Sequence, residues 1–221
     1  MGCIRSVLGA LAVFGGLLVA HPDAHAQPPH GTRARTDLAG LDASSDVRDV
    51  AAWVAASRDH RGHAYAIVDK KAARLYVFTP QAKLAGASPV LLGLAVGDRS
   101  SPGVGGLPPA RIPAAERTTP AGRFATEPGT NLEGDAVVWF DYDAGLAIHR
   151  LRPNAAERAR NRRLANDDPR AHRVSAGCVV VPVAFYESVV LKWLGHGRGM
   201  LYVLPEVERV DEVFAGFDGD L

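Results

Sequence analysis

Ala64-Tyr65-Ala66-Ile67-Val68-Asp69, the polar pair Lys70-Lys71 and Arg74-Leu75-Tyr76-Val77-Phe78-Thr79 read as two β-strands joined by a turn. Both runs are rich in β-branched and aromatic residues, which suit a pleated, half-buried surface, and the charged pair between them marks a hairpin. Upstream, Val47, Val50, Ala51 and Val54 recur at helical spacing and predict a short amphipathic helix over 46–56. Downstream, 89–96 reads as a third strand, and further strands are expected at 122–126, 136–140, 146–150 and 200–204. A helix is expected within 154–164. Pro182 followed by an apolar run to Leu194 predicts a second, with proline in its first turn and burial nearly all round. Val207, Val210, Val213, Phe214 and Phe217 fit a small amphipathic helix in the tail. Strands dominate and do not alternate with helices, so the expected fold class is α+β and β-rich rather than an alternating βαβ enzyme. Between Gly97 and Pro120 runs a long segment dense in Gly, Pro, Ser and Arg, of the kind that is either functional or disordered inside a compact domain.

The N-terminus reads as an export signal. Met1-Gly2-Cys3-Ile4-Arg5 is a short basic start, Val7 to Ala20 is an apolar run, and Ala24-His25-Ala26 supplies the small-x-small cleavage pattern. The run is about 14 residues, short of the ~20 a membrane span needs. Cys3 precedes it, so it is not placed as a lipid-accepting cysteine. The expected organisation is a signal peptide over 1–26, a flexible lead-in with a short helix over 27–62, a main domain over 63–205 and a tail over 206–221 that suits a helix. Localisation in the periplasm or cell envelope follows, with no membrane span after cleavage. The net charge of +1 gives no reason to expect a nucleic-acid partner. The sequence leaves the oligomeric state open.

Cleavage would leave a single cysteine, Cys178. In an oxidising compartment cysteines usually pair, so a lone one is an inert buried thiol, an intermolecular bridge or a nucleophile. A thiol of pKa ~8.5 needs a neighbouring base or cation to attack at neutral pH, and histidine is the usual partner. The mature chain offers His30, His60, His63, His149, His172 and His196. His149 ends the predicted strand Leu146-Ala147-Ile148, which can pair beside the cysteine. His172 lies six residues before Cys178, roughly 20 Å in extended chain at ~3.3 Å per residue, and reaches it only through a sharp turn. His196 sits in a Gly-His-Gly turn. His149 is preferred, with the other two left open. Gly177, just before the cysteine, permits the tight backbone that exposes a thiol and lets nearby N–H groups face an oxyanion.

Three segments then resemble one family. Ser175-x-Gly177-Cys178, preceded by Ile148-His149 and by Thr119-Pro120-Ala121-Gly122-Arg123-Phe124, is similar to the L,D-transpeptidase (YkuD-type) catalytic domain over roughly residues 63 to 205. Histidine before cysteine agrees with that family, whereas papain-like peptidases place the cysteine first. The resemblance implies a β-sandwich-like fold and peptidoglycan stem peptides as partners, with no metal or organic cofactor. It implies that Cys178 attacks the carbonyl before a terminal D-alanine, that His149 moves the proton, and that the Arg150 carbonyl orients the imidazole. Backbone N–H groups around Ala176, Gly177 and Cys178 would hold the oxyanion.

The sequence departs from the family at three points. Ala176 replaces its usual histidine, Val180 replaces Arg or Asn, and His149 and Cys178 are 29 positions apart, with an Arg-rich insertion between them. Arg173, or another of the eight arginines in 150–173, is expected to meet a substrate carboxylate; those arginines equally suit a solvated surface helix. A non-catalytic relative that binds wall peptides, and an exported thiol hydrolase of another fold, are the competing functions.

Overall fold

In the computed structural model the hairpin forms as β1 (Tyr65–Asp69) and β2 (Arg74–Phe78), with Tyr65 opposite Phe78 and Asp69 opposite Arg74. Residues 38, 40–154 and 156–218 are described. The expected signal segment, its cleavage site and His30 lie outside them. No described helix is long and apolar enough to cross a membrane.

Every residue of β1 is buried because both faces of the strand are covered. Tyr65 and Ile67 meet helix α1 (Ser45–Ser57), while Ala66 and Val68 face a second core. α1 buries Val47, Val50, Ala51, Trp53 and Val54, one stripe at helical spacing. Its N-cap Ser44 accepts from the Val47 N–H at 3.3 Å and donates to Asp69 at 2.7 Å, which ties the helix start to the end of β1. Trp53 packs edge-on against Tyr202 and meets Phe214 and Phe217 of the tail. The lead-in helix and the tail therefore share a core with the sheet.

The main sheet has eight strands in the order β3-β2-β1-β10-β5-β6-β7-β9, and a two-stranded ribbon pairs β4 (Leu92–Gly93) with β8 (Arg173–Ser175). The other strands are β3 (Leu84–Pro89), β5 (Gly122–Thr130), β6 (Ala136–Asp141), β7 (Leu146–Arg150), β9 (Val179–Val181) and β10 (Gly199–Val203). β5 joins two halves of the sheet: Gly122 to Thr126 pair with β10, and Glu127 to Thr130 pair with β6. Inner-face residues of both halves meet in one cluster, among them Val68, Leu75, Leu201, Val138, Ile148 and Val179. The fold is α+β and β-rich.

Two expectations are corrected. The third strand is Leu84–Pro89, not 89–96. Its small residues lie beneath Phe185 and Val189, where a Cβ on Gly86 would come within 3.1 Å of the Phe185 ring. The apolar residues after it carry the chain out of the sheet toward the cysteine loop, and Leu91 bridges to Val180. The helix after Pro182 is not buried all round. It runs as α3 (Val183–Phe185), a π-turn (Tyr186–Val190) and α4 (Leu191–Leu194), and buries only Tyr186, Val190 and Leu194. Phe185, Val189, Leu191 and Trp193 also pack against the core but stay partly exposed.

Candidate active site

β7 and β9 run parallel, with Ile148 opposite Val179, His149 opposite Val180 and Arg150 opposite Val181. Cys178 immediately precedes β9, so it lies alongside the Ala147–His149 segment. Cys178 and His149 both line a cavity of about 620 Å³. Its remaining wall comes from Val104 to Pro109 and Ile112 of the long loop, the β5–β6 turn, Trp139, Tyr142, Arg152 and Ala176. The long loop presses its backbone onto the β6–β7 turn at Gly105, where a Cβ would fall 2.0 Å from the Asp143 carbonyl oxygen.

The His149 Nδ1 lies 2.8 Å from the Arg150 carbonyl oxygen. An Nδ1–H donated there leaves Nε2 with the free lone pair. Burial pushes the imidazole pKa below its ordinary value, and the charges of Arg152 and Arg160 push the same way, against the Arg150 hydrogen bond. Burial pushes the Cys178 thiol up, countered in part by the Ala147 backbone and by Arg152. The resting pair is therefore a thiol beside a neutral imidazole, and the sulfur's hydrogen bond is to the Gly145 carbonyl oxygen at 3.8 Å. Such contacts often tighten only once substrate is bound.

The cysteine loop is held from both sides. Gly177 has φ +132°, and a Cβ there would come within 2.7 Å of both Leu146 Cδ2 and the Thr118 carbonyl oxygen, so glycine is required twice over. Ser175 Oγ accepts from the Gly177 N–H at 3.1 Å and donates to the Cys178 carbonyl at 2.7 Å. This engages the Gly177 N–H, which the sequence had offered to the oxyanion. Thr119 Oγ1 donates to the Gly177 carbonyl at 2.8 Å and accepts from the Gly93 N–H at 2.9 Å.

Behind Thr119 lies a buried charge network. Lys70 Nζ donates to the Gly97 carbonyl and to Asp98, each at 2.6 Å, and to the Thr119 carbonyl at 3.0 Å. Asp98 accepts the N–H groups of Glu206, Val207 and Glu208 at 2.7–2.9 Å. Burial works against the Asp98 charge, but the Lys70 ammonium and those three N–H groups outweigh it and hold the carboxyl down to about 2.

The placement of the other expected residues follows. Arg173 does not line the cavity; its guanidinium pairs with Glu206 and donates to the Lys70 carbonyl at 3.1 Å. Arg152 is the arginine in the cavity wall. Val180 packs with Leu91, Leu151 and Leu164, the last from helix α2 (Glu157–Leu164) of the Arg-rich insertion, so the insertion covers the face where a polar residue was expected. His172 is buried, with its ring nitrogens 2.9 Å from the Val90 and Asn166 carbonyl oxygens, and His196 is exposed; neither lines the cavity. Among the described residues no group of His, Cys, Asp and Glu is gathered for a metal ion.

Sequence reasoning named Thr119 only within the Thr-Pro segment and gave it no role, and it did not single out Lys70 or Arg152. The first was available, since the Thr-Pro segment stood next to the cysteine motif in the resemblance. The partners of Lys70 and Arg152 are too distant in sequence to be read.

No family model matches the chain, and no curated protein does. Among solved structures it is similar over 66% of its length to the helical cell shape determining protein Pgp2 from Campylobacter jejuni, at 12% identity and a TM-score of 0.40. That match covers 48% of the Campylobacter chain, so the protein spans about half the length of this relative. It is also similar over 65% of its length to the catalytic domain of an L,D-transpeptidase from E. faecium, at 16% identity and a TM-score of 0.33, covering 98% of that domain.

Proposed function

We propose that this protein is an exported cysteine acyltransferase acting on peptidoglycan stem peptides, as an L,D-transpeptidase or an L,D-carboxypeptidase. The observation that supports the reading is that Cys178, just before β9, and His149, on the paired strand β7, line one cavity, with the imidazole oriented through Nδ1. Cys178 Sγ attacks the carbonyl carbon before the terminal residue while His149 Nε2 takes the thiol proton. The C–N bond breaks, the leaving amine receives that proton, and a thioester remains. An acceptor amine or water then attacks the thioester, gives its proton to His149, and the thiol re-forms as the C–S bond breaks. The backbone around Ala176 and Cys178 is the source of oxyanion donors in this scheme.

A second reading, a module that binds wall peptides in the same cavity without turnover, draws support from the sulfur's hydrogen bond going to the Gly145 carbonyl oxygen and from burial pushing the thiol pKa up. Intact-mass labelling with a carbapenem separates the two. A stoichiometric adduct that Cys178→Ala and His149→Ala both lose supports the enzyme. A folded protein that forms no adduct, with a thiol slow toward iodoacetamide, supports the binding module.

A further inference from the structure

Two ionised side chains stand in the cavity wall, Glu133 and Arg152. The Arg152 guanidinium is only partly matched by the protein. Nη1 lies 2.9 Å from Glu133, whose side chain is 62% exposed, and Nε lies 3.9 Å from Asp135, beyond hydrogen-bond reach. Asp135 is instead hydrogen-bonded to Arg150 at 3.1 Å. Among the described residues Nε is shielded from solvent and has no hydrogen-bond partner. The Arg152 side chain as a whole is 33% exposed and lines the cavity, so a ligand there can reach a guanidinium that the protein leaves incompletely matched. The planar guanidinium fork matches a carboxylate, two parallel N–H groups to two oxygens. Its charge also reaches both reacting groups, favouring the thiolate of Cys178 and the neutral form of His149. Arg152, Cys178 and His149 line the same cavity, so a ligand carboxylate at Arg152 would share that cavity with the bond being broken.

We propose that Arg152 is a specificity-determining residue that binds a carboxylate of the acyl donor, so that the cavity selects peptides with a free carboxylate beside the scissile carbonyl over their amides. The proposal rests on the reading of Cys178 as the nucleophile, but its test needs no peptidoglycan substrate.

The test compares alkylation of Cys178 by iodoacetate and by iodoacetamide, each rate divided by that of N-acetylcysteine under the same conditions. The reagents share a mechanism and differ by one carboxylate, so any change in the thiol's own ionisation cancels in the ratio. The wild-type protein is expected to favour iodoacetate by about tenfold, the scale of one charge-assisted hydrogen-bonded pair. Arg152→Gln is expected to bring the ratio to within about twofold of unity, and Arg152→Lys, which keeps the charge without the fork, to an intermediate value. A wild-type ratio of unity overturns the proposal, and so does a ratio that Arg152→Gln leaves unchanged. If Arg152→Gln does not fold, the wild-type and Arg152→Lys ratios decide. A Cys178 that neither reagent reaches at pH 9 also overturns it, because the cavity then admits no carboxylate to the sulfur. Formation of an acyl-enzyme with a stem peptide but no iodoacetate preference defeats this inference alone. The preference without any acyl-enzyme defeats the proposed function and leaves the carboxylate site standing.

Discussion

Replacing Thr119 by valine removes one hydroxyl and keeps the shape of the side chain. That hydroxyl is fully buried; it donates to the Gly177 carbonyl and accepts from the Gly93 N–H. The substitution leaves a buried acceptor and a buried donor without partners. Each such loss costs about 1–3 kcal/mol, so Thr119→Val is expected to destabilise the fold by about 2–6 kcal/mol, a large share of the 5–15 kcal/mol typical of a domain. Thr119→Ser keeps both hydrogen bonds and loses one methyl, for about 1 kcal/mol. The assay is urea unfolding followed by tryptophan fluorescence, with the change read from the midpoint at constant slope. Iodoacetamide alkylation of Cys178 is measured alongside it. Because the lost bonds hold the residue next to the sulfur, alkylation of Thr119→Val is expected to change several-fold in native buffer, and that of Thr119→Ser to stay near wild type. Thr119→Val within 0.5 kcal/mol of wild type and with unchanged alkylation would refute the view that this hydroxyl holds the cysteine loop.

Stability is expected to fall at both ends of the pH scale. Burial holds His149 below its ordinary value, so its contribution is full above about pH 6.5 and is lost as pH falls toward the lowered folded value. Cys178 is held above its ordinary value, so its contribution is full below about pH 8.5 and is lost as pH rises toward the folded value. In urea midpoints from pH 5 to 10, His149→Gln should flatten the acid arm and Cys178→Ala the alkaline arm; unchanged arms would contradict the assignment. Gly177→Ala sets a methyl against Leu146 and the Thr118 carbonyl at a backbone angle that disfavours it, and should cost at least about 2 kcal/mol by the same assay. Val180→Asn, which restores a polar side chain at that position, places an amide among Leu91, Leu151 and Leu164 and should lose about 2–4 kcal/mol; a neutral result would mean that α2 does not pack there.

The β1–β2 hairpin and β7 were legible because alternating or continuous apolar runs bounded by polar residues carry their own signal. β3 was not: Leu84-Ala85-Gly86-Ala87-Ser88-Pro89 is small and polar enough to read as a loop, and its strand state is set by β2 on one side and by Phe185 and Val189 above it. Lys70 and Lys71 looked alike as turn residues. One is buried and ties two separate parts of the chain together, while the other is largely exposed, and the difference lies in Gly97, Asp98 and Thr119. The eight arginines of 150–173 show the same limit. Their number was visible, but only the fold placed Arg173 on Glu206 and Arg152 in the cavity wall.

Lys70 grips the Gly97 and Thr119 carbonyls at once, so a single ammonium clasps both feet of the long loop that walls the cavity. With its feet pinned, the span between them, outside the contact at Gly105, can vary in length at little entropic expense, since doubling a loop costs only about 0.6 kcal/mol. Insertions or deletions between those two points would remodel the mouth of the cavity while the sulfur and the imidazole stay where the sheet puts them. Descendants of this sequence can thus change what they admit without relearning how to react.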